Sequence, residues 1–85
     1  MSDPAERMSH WNYRVTKQVV DGETEYAIRE VYYGPGPGQL SWTERPAKPS
    51  GETKAELKDA LEKMLEALPY PAIDITDEKN PKEEI

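Results

Sequence analysis

Cysteine and phenylalanine are absent from these 85 residues, and histidine occurs once. Without cysteine, neither a disulfide framework nor a thiolate metal site can form, which suits a reducing compartment. The same absence excludes a cysteine–histidine pair, and a serine triad would rest on His10, at the edge of a polar N-terminal stretch. Long apolar runs are missing too. Nothing approaches the roughly 18 residues of a membrane span, and no charged-then-apolar segment reads as a signal peptide. A cytoplasmic protein is the expectation. With no Phe, five Tyr and two Trp must supply most of the bulk, and their polar tips place them at the edge of a core.

Chemical motifs are equally scarce. Asp74, Asp77 and Glu78 match no calcium-loop spacing. Gly34-Pro35-Gly36-Pro37-Gly38 lacks the spacing and the following basic residue of a phosphate-cradling loop, and reads as a hairpin connection. Glu23 and Glu25 lie on a solvated turn. No catalytic residue, metal ligand or cofactor is therefore assigned, and the chain is read as a non-enzyme.

What is present is a clear order of elements. Residues 1–10 are expected to be a mobile arm. Trp11 to Val20 alternates, with Trp11, Tyr13, Val15 and Val19 on one face and Asn12, Arg14, Thr16 and Gln18 on the other; the first set is expected to be buried. Asp21-Gly22 is a favoured type I′ hairpin pair. In the next strand, Glu25 to Tyr33, Tyr26 and Ile28 oppose Val31 and Tyr33 in parity. Either a bulge near Arg29-Glu30 or cover on both sides of its far end follows, the second being preferred. Leu40 to Glu44 reads as a short third strand. Thr53 and Glu56 form a capping box that opens a helix carrying Leu57, Leu61, Met64 and Leu68 at helical spacing, widened by Ala60 and Leu65 and stopped by Pro69. Ile73 and Ile75 offer a brief fourth strand. The expected fold is α+β: a three-stranded antiparallel meander with one helix on one face, βββα or βββαβ, over residues 11–76, followed by an acidic disordered tail, 77–85.

The formal charge is −6, and the excess acid lies in the helix and tail. That half of the molecule would repel phosphate backbones, so nucleic acid is not an expected partner. It also supports an alternative role, a phage-type inhibitor or nucleic-acid mimic acting through the acidic helix and tail.

Two resemblances bear on this reading. Trp11-Asn12-Tyr13-Arg14-Val15, Glu30-Val31-Tyr32-Tyr33, Trp42-Thr43-Glu44, Pro49-Ser50-Gly51-Glu52-Thr53 and Met64-Leu65-Glu66-Ala67-Leu68 together resemble a group of short, uncharacterised bacterial proteins, over residues 11–75. That resemblance implies a shared fold and no activity. The order β-β-β-α-β, with Tyr26-Ala27-Ile28 in the second strand and Gly51-Glu52-Thr53 opening the helix, is similar to the N-terminal domain of HicB antitoxins. It lacks the Pro-Gly-Cys segment usual before that helix. This second resemblance implies an inhibitor that binds over an RNase toxin.

Binding is the function class left. Tyr32, Tyr33 and Trp42, with Arg29 and Arg45, are residue types enriched at interface hot spots. They are the expected partner-binding set, on the sheet face away from the helix or along an edge strand, where β-augmentation or self-association is open to the fold. Neighbouring residues alternate, so one of Tyr32 and Tyr33 must face outward.

Overall fold

The chain is described by a computed structural model covering residues 10–35 and 39–84. Of the expected mobile arm, 1–10, all but His10 lies outside the described residues, as does the centre of the Gly-Pro loop; His10 opens the first strand. In chain order the elements are β1 (His10–Val20), β2 (Glu23–Tyr33), β3 (Leu40–Trp42), α1 (Lys54–Leu65), β4 (Ile73–Asp74) and β5 (Lys82–Glu83).

The β1–β2 hairpin is the long local unit. Its register is unbroken from His10↔Tyr33 to Val20↔Glu23, so there is no bulge near Arg29-Glu30. Asp21 and Gly22 both take positive φ, 51° and 79°, as a type I′ turn requires. β3 adds antiparallel to the end of β2. The following segment stays beside β2, with Thr43 and Ala47 donating to the carbonyls of Glu30 and Ile28.

The expected three-stranded antiparallel meander is incorrect. Among the described residues the sheet has five strands in the order β3-β2-β1-β4-β5, is mixed because β4 runs parallel to β1, and curls into a half-barrel. After Pro69 the chain turns back and lays Ile73 and Asp74 beside Thr16 and Lys17, which makes β1 a central strand. The tail expected to be disordered supplies β5, antiparallel to β4. Its anchors are polar: the Glu84 amide donates to the Ala72 carbonyl at 2.6 Å, and Lys17 Nζ and the Tyr26 hydroxyl each lie 3.1 Å from Glu84 Oε1. The Glu84 carboxylate holds the Lys17 ammonium and the Tyr26 phenol protonated above their ordinary ranges.

The buried face of the hairpin is also the reverse of the expected one. Cross-strand partners share a face, so Asn12, Arg14 and Thr16 lie with Val31, Arg29 and Ala27. Here Thr16, Val31, Arg14 and Arg29 are buried, the arginines at 5% and 4% exposure. Ile73, opposite Thr16, brings Ile75 with it, and these two pack with Val31, flanked by Tyr33, Leu40 and Trp42. The aliphatic stems of the two arginines serve as core filling, a role that alternation of residue types does not reveal.

The Arg14 head is held by polar groups from distant parts of the chain, and the Arg29 head by groups of the hairpin itself. Arg14 donates to the Tyr33 hydroxyl at 3.1 Å and to the Pro71 carbonyl at 2.7 Å. It also lies 3.6 Å from Glu83 and 5.3 Å from the centre of the Tyr70 ring. Arg29 donates to Thr16 Oγ1 at 2.6 Å, and that hydroxyl donates to the Ala27 carbonyl.

The helix starts as its sequence indicates. Thr53 has extended backbone angles, and its side chain accepts from the Glu56 amide at 3.1 Å. The Glu56 carboxylate reaches one residue further back than expected, accepting from the Glu52 amide at 2.7 Å. Bonds from Ala67 to Met64 and from Leu68 to Leu65 tighten the exit into a three-residue spacing before Pro69. The leucine stripe does not cover the sheet, however. Only Met64 and the following Ala67 are buried, whereas Leu57, Leu61, Leu65 and Leu68 are 36%, 44%, 61% and 61% exposed.

Two substitutions test this account. Arg14→Ala removes charge-assisted hydrogen bonds and a packed stem, and should lower unfolding free energy by about 2–4 kcal/mol; urea unfolding within about 0.5 kcal/mol of the parent would show that Arg14 does not hold the sheet together. Gly22→Ala meets no steric neighbour but forces a side chain onto positive φ, and should cost about 1 kcal/mol in the same measurement.

Candidate functional site

The hairpin face opposite the buried arginines carries Trp11, Tyr13, Val15 and Lys17 on β1, opposite Tyr32, Glu30, Ile28 and Tyr26 on β2. Trp11 is 48% exposed and forms the hub of an aromatic group. Its ring meets Tyr13 edge-on at 5.4 Å and Tyr32 at 6.1 Å and 38°. The Tyr32 hydroxyl donates to Glu30 at 2.9 Å, so its polar tip is satisfied along its own strand while its ring stays with Trp11.

The exit of α1 runs beside this end of β1. Between them lies a cleft of about 560 Å³, lined by Trp11, Asn12, Tyr13, Lys63, Glu66, Pro69 and Tyr70. Three aromatic rings and a proline supply an apolar lining, while Lys63 and Glu66 contribute one charge of each sign. Tyr70 separates the cleft from the interior, since one face of its ring lies over the Arg14 guanidinium. This composition suits an extended apolar segment with few charges. Aromatic-lined grooves of this kind take proline-containing peptides in the polyproline conformation.

The five residues expected to bind a partner do not form one surface. Tyr32 is the outward member of the tyrosine pair and belongs to the aromatic group. Tyr33 faces inward, stacked on His10 at 4.6 Å, with its hydroxyl donating to Asn12 at 2.8 Å. Arg29 is buried, and Trp42 packs against the Val31 core. Arg45 is exposed on the connection after β3, separate from the cleft. The sequence reading missed Trp11 and Tyr13 as outward residues because their strand alternates as though they were core. Tyr70 had no place in the expected binding set. Pro69-Tyr70-Pro71 just beyond an amphipathic helix was the signal available.

The terminal strands are short, three residues in β3 and two in β5, and strand pairing covers only Val31 to Tyr33 on the outer edge of β2 and Thr16 and Lys17 on that of β1. Among the described residues no group of three or more His, Cys, Asp or Glu is arranged to hold a metal, and no helix is long and apolar enough to cross a membrane. No family model, curated protein or solved structure matches the chain.

The hydrogen bond to Glu30, with smaller effects of burial and the carboxylate charge, raises the Tyr32 phenol above its ordinary 10.0. The folded state therefore holds this proton more tightly than the unfolded chain. Its stabilising effect is fully present below the unfolded value and fades as pH rises through the folded one. Phenolate absorbance should show Tyr32 titrating late together with Tyr26, and Glu30→Gln should return one of the two towards the ordinary range; an unchanged titration curve in that variant would count against the Tyr32–Glu30 bond.

Proposed function

We propose that the chain is a non-enzymatic protein-binding module whose ligand is an extended, apolar, proline-containing segment of another protein, seated in the cleft between β1 and the end of α1. The observation carrying this reading is the grouping of Trp11, Tyr13 and Tyr70 around one cleft, with Tyr32 supporting Trp11 from behind. Rigid aromatic side chains give large contact area at low cost in conformational entropy. An inhibitor that lies over an RNase, as the HicB resemblance implies, is one form such a module takes; the bound segment then belongs to the toxin.

The alternative, a nucleic-acid mimic acting through the acidic helix and tail, draws less support from the geometry. Glu83 and Glu84 face Arg14 and Lys17, and Glu62 and Asp59 lie beside Lys58 and Lys63. The acids are interleaved with bases rather than arrayed as a phosphate-like row.

Peptide-display selection on the immobilised full chain tests the proposal. Selected peptides should share apolar and proline positions, shift Trp fluorescence on binding, and bind Trp11→Ala and Tyr70→Ala at least about tenfold more weakly, or about 1.4 kcal/mol. Selection of no peptide, or equal binding to both variants, overturns it.

A further inference from the structure

A second apolar surface lies away from the cleft. Leu57, Leu61 and Leu65 follow one another at four-residue intervals along α1, with Leu68 just beyond, and all four are exposed. Such a stripe normally packs against its own domain, but here the domain is met by Met64 and Ala67 instead. The cleft is lined from α1 by Lys63 and, just beyond the helix, Glu66, so the leucines are a separate feature.

The charges beside the stripe indicate what covers it. Lys54, Lys58 and Glu62 precede Leu57, Leu61 and Leu65 by three residues each, which makes them the neighbouring row on the helix surface. That row is basic in the first half of the helix and acidic in the second, with Glu66 at the C-cap. Lys54 at the helix start and Glu66 at its end both oppose the helix dipole. Within the chain the row has one ion pair among the described residues, Lys58–Glu62 at 3.8 Å, with both side chains largely exposed; such a pair contributes little. A row of this kind is complementary to itself when reversed. A parallel copy would set lysine against lysine, whereas an antiparallel copy sets each basic half against an acidic half and opposes the two dipoles.

We infer that two copies of this chain associate about a two-fold axis near Leu61, their α1 helices antiparallel, leucines apposed, and Lys54 and Lys58 of each copy beside Glu62 and Glu66 of the other. An isologous contact of this kind needs one self-complementary patch, and cyclic dimers are the commonest oligomers. The small buried core fits the same conclusion. The buried apolar side chains among the described residues are Val31, Met64, Ala67, Ile73 and Ile75, and a domain of this size gains stability by covering further apolar surface between copies.

Sedimentation velocity on the full chain should show a species of twice the 9.7 kDa chain mass. Leu61→Glu, a change at an exposed position, should yield a monomer with an unaltered circular dichroism spectrum. The lysine pair and the glutamate provide a second test. Lys54→Glu with Lys58→Glu makes the row wholly acidic, and Glu62→Lys makes its central part wholly basic. Each variant alone should dimerise at least about tenfold more weakly, and mixing them should restore a heterodimer. Because the chain has no cysteine, Leu61→Cys under mild oxidation should crosslink to a covalent dimer, whereas Thr24→Cys should not. A monomeric parent chain, a Leu61→Glu variant that remains dimeric, or charge variants that fail to rescue each other overturns the inference. Trp11 lies outside the proposed seam, so loss of peptide binding in Trp11→Ala should leave the oligomeric state unaffected.

Discussion

Two guanidinium groups placed under a β-sheet set the terms for the rest of this fold. Arg14 and Arg29 face each other across β1 and β2, and a buried cation is tolerated only where neighbouring groups replace its water. The replacements come from a hydroxyl on each strand, a carbonyl beyond the helix and carboxylates of Glu25 and Glu83. Neither Nε has a hydrogen-bond partner among the described residues. The position of Pro71, the return of β4 and the attachment of β5 all serve Arg14. Apolar packing alone would not specify that convergence.

The arrangement also explains why so much aromatic surface lies outside. With arginine stems, Thr16 and three aliphatic side chains occupying the inner face, Trp11, Tyr13 and Tyr32 have no interior to enter. They gather instead beside the helix exit, where their rings contact one another and Tyr70 shields Arg14 from the cleft. Core and candidate site are thus two sides of one choice made in β1. Thr16 illustrates its economy: a single buried hydroxyl accepts from Arg29 and donates to Ala27, tying the two central strands through a side chain too small to fill space otherwise.

Local features were legible in the sequence and distant ones were not. The Asp21-Gly22 turn, the extents of the first strands, the Thr53 cap and the Pro69 stop depend on residues within a few positions of one another. The inner face of β1 was misread because alternation assigns Trp, Tyr and Val to the interior, while Arg14 is buried by a carbonyl 57 residues away. Strand β5 escaped notice because Lys82 and Glu83 have no apolar signal at all; they are held by backbone pairing and ion pairs. For the candidate site, parity alone established that Tyr32 and Tyr33 must face opposite ways, but which of them faces out depended on β4 docking against Thr16. Trp11, Tyr13 and Tyr70 meet only because the end of the helix returns to the start of the sheet.

The parallel seam between β1 and β4 has a kinetic consequence. The hairpin closes over a two-residue turn, whereas joining Thr16 to Ile73 requires most of the domain to be in place, and loop closure of that length precedes any compensating contact. Until the seam forms, the outer edge of β1 is open along its eleven residues, with one face aromatic and the other bearing Arg14 without its Pro71 and Glu83 partners. Such an edge invites pairing with another molecule. The positive charge of Arg14 then acts as a gatekeeper that keeps unfinished hairpins apart, and Glu83 reaches it only when the last strand arrives.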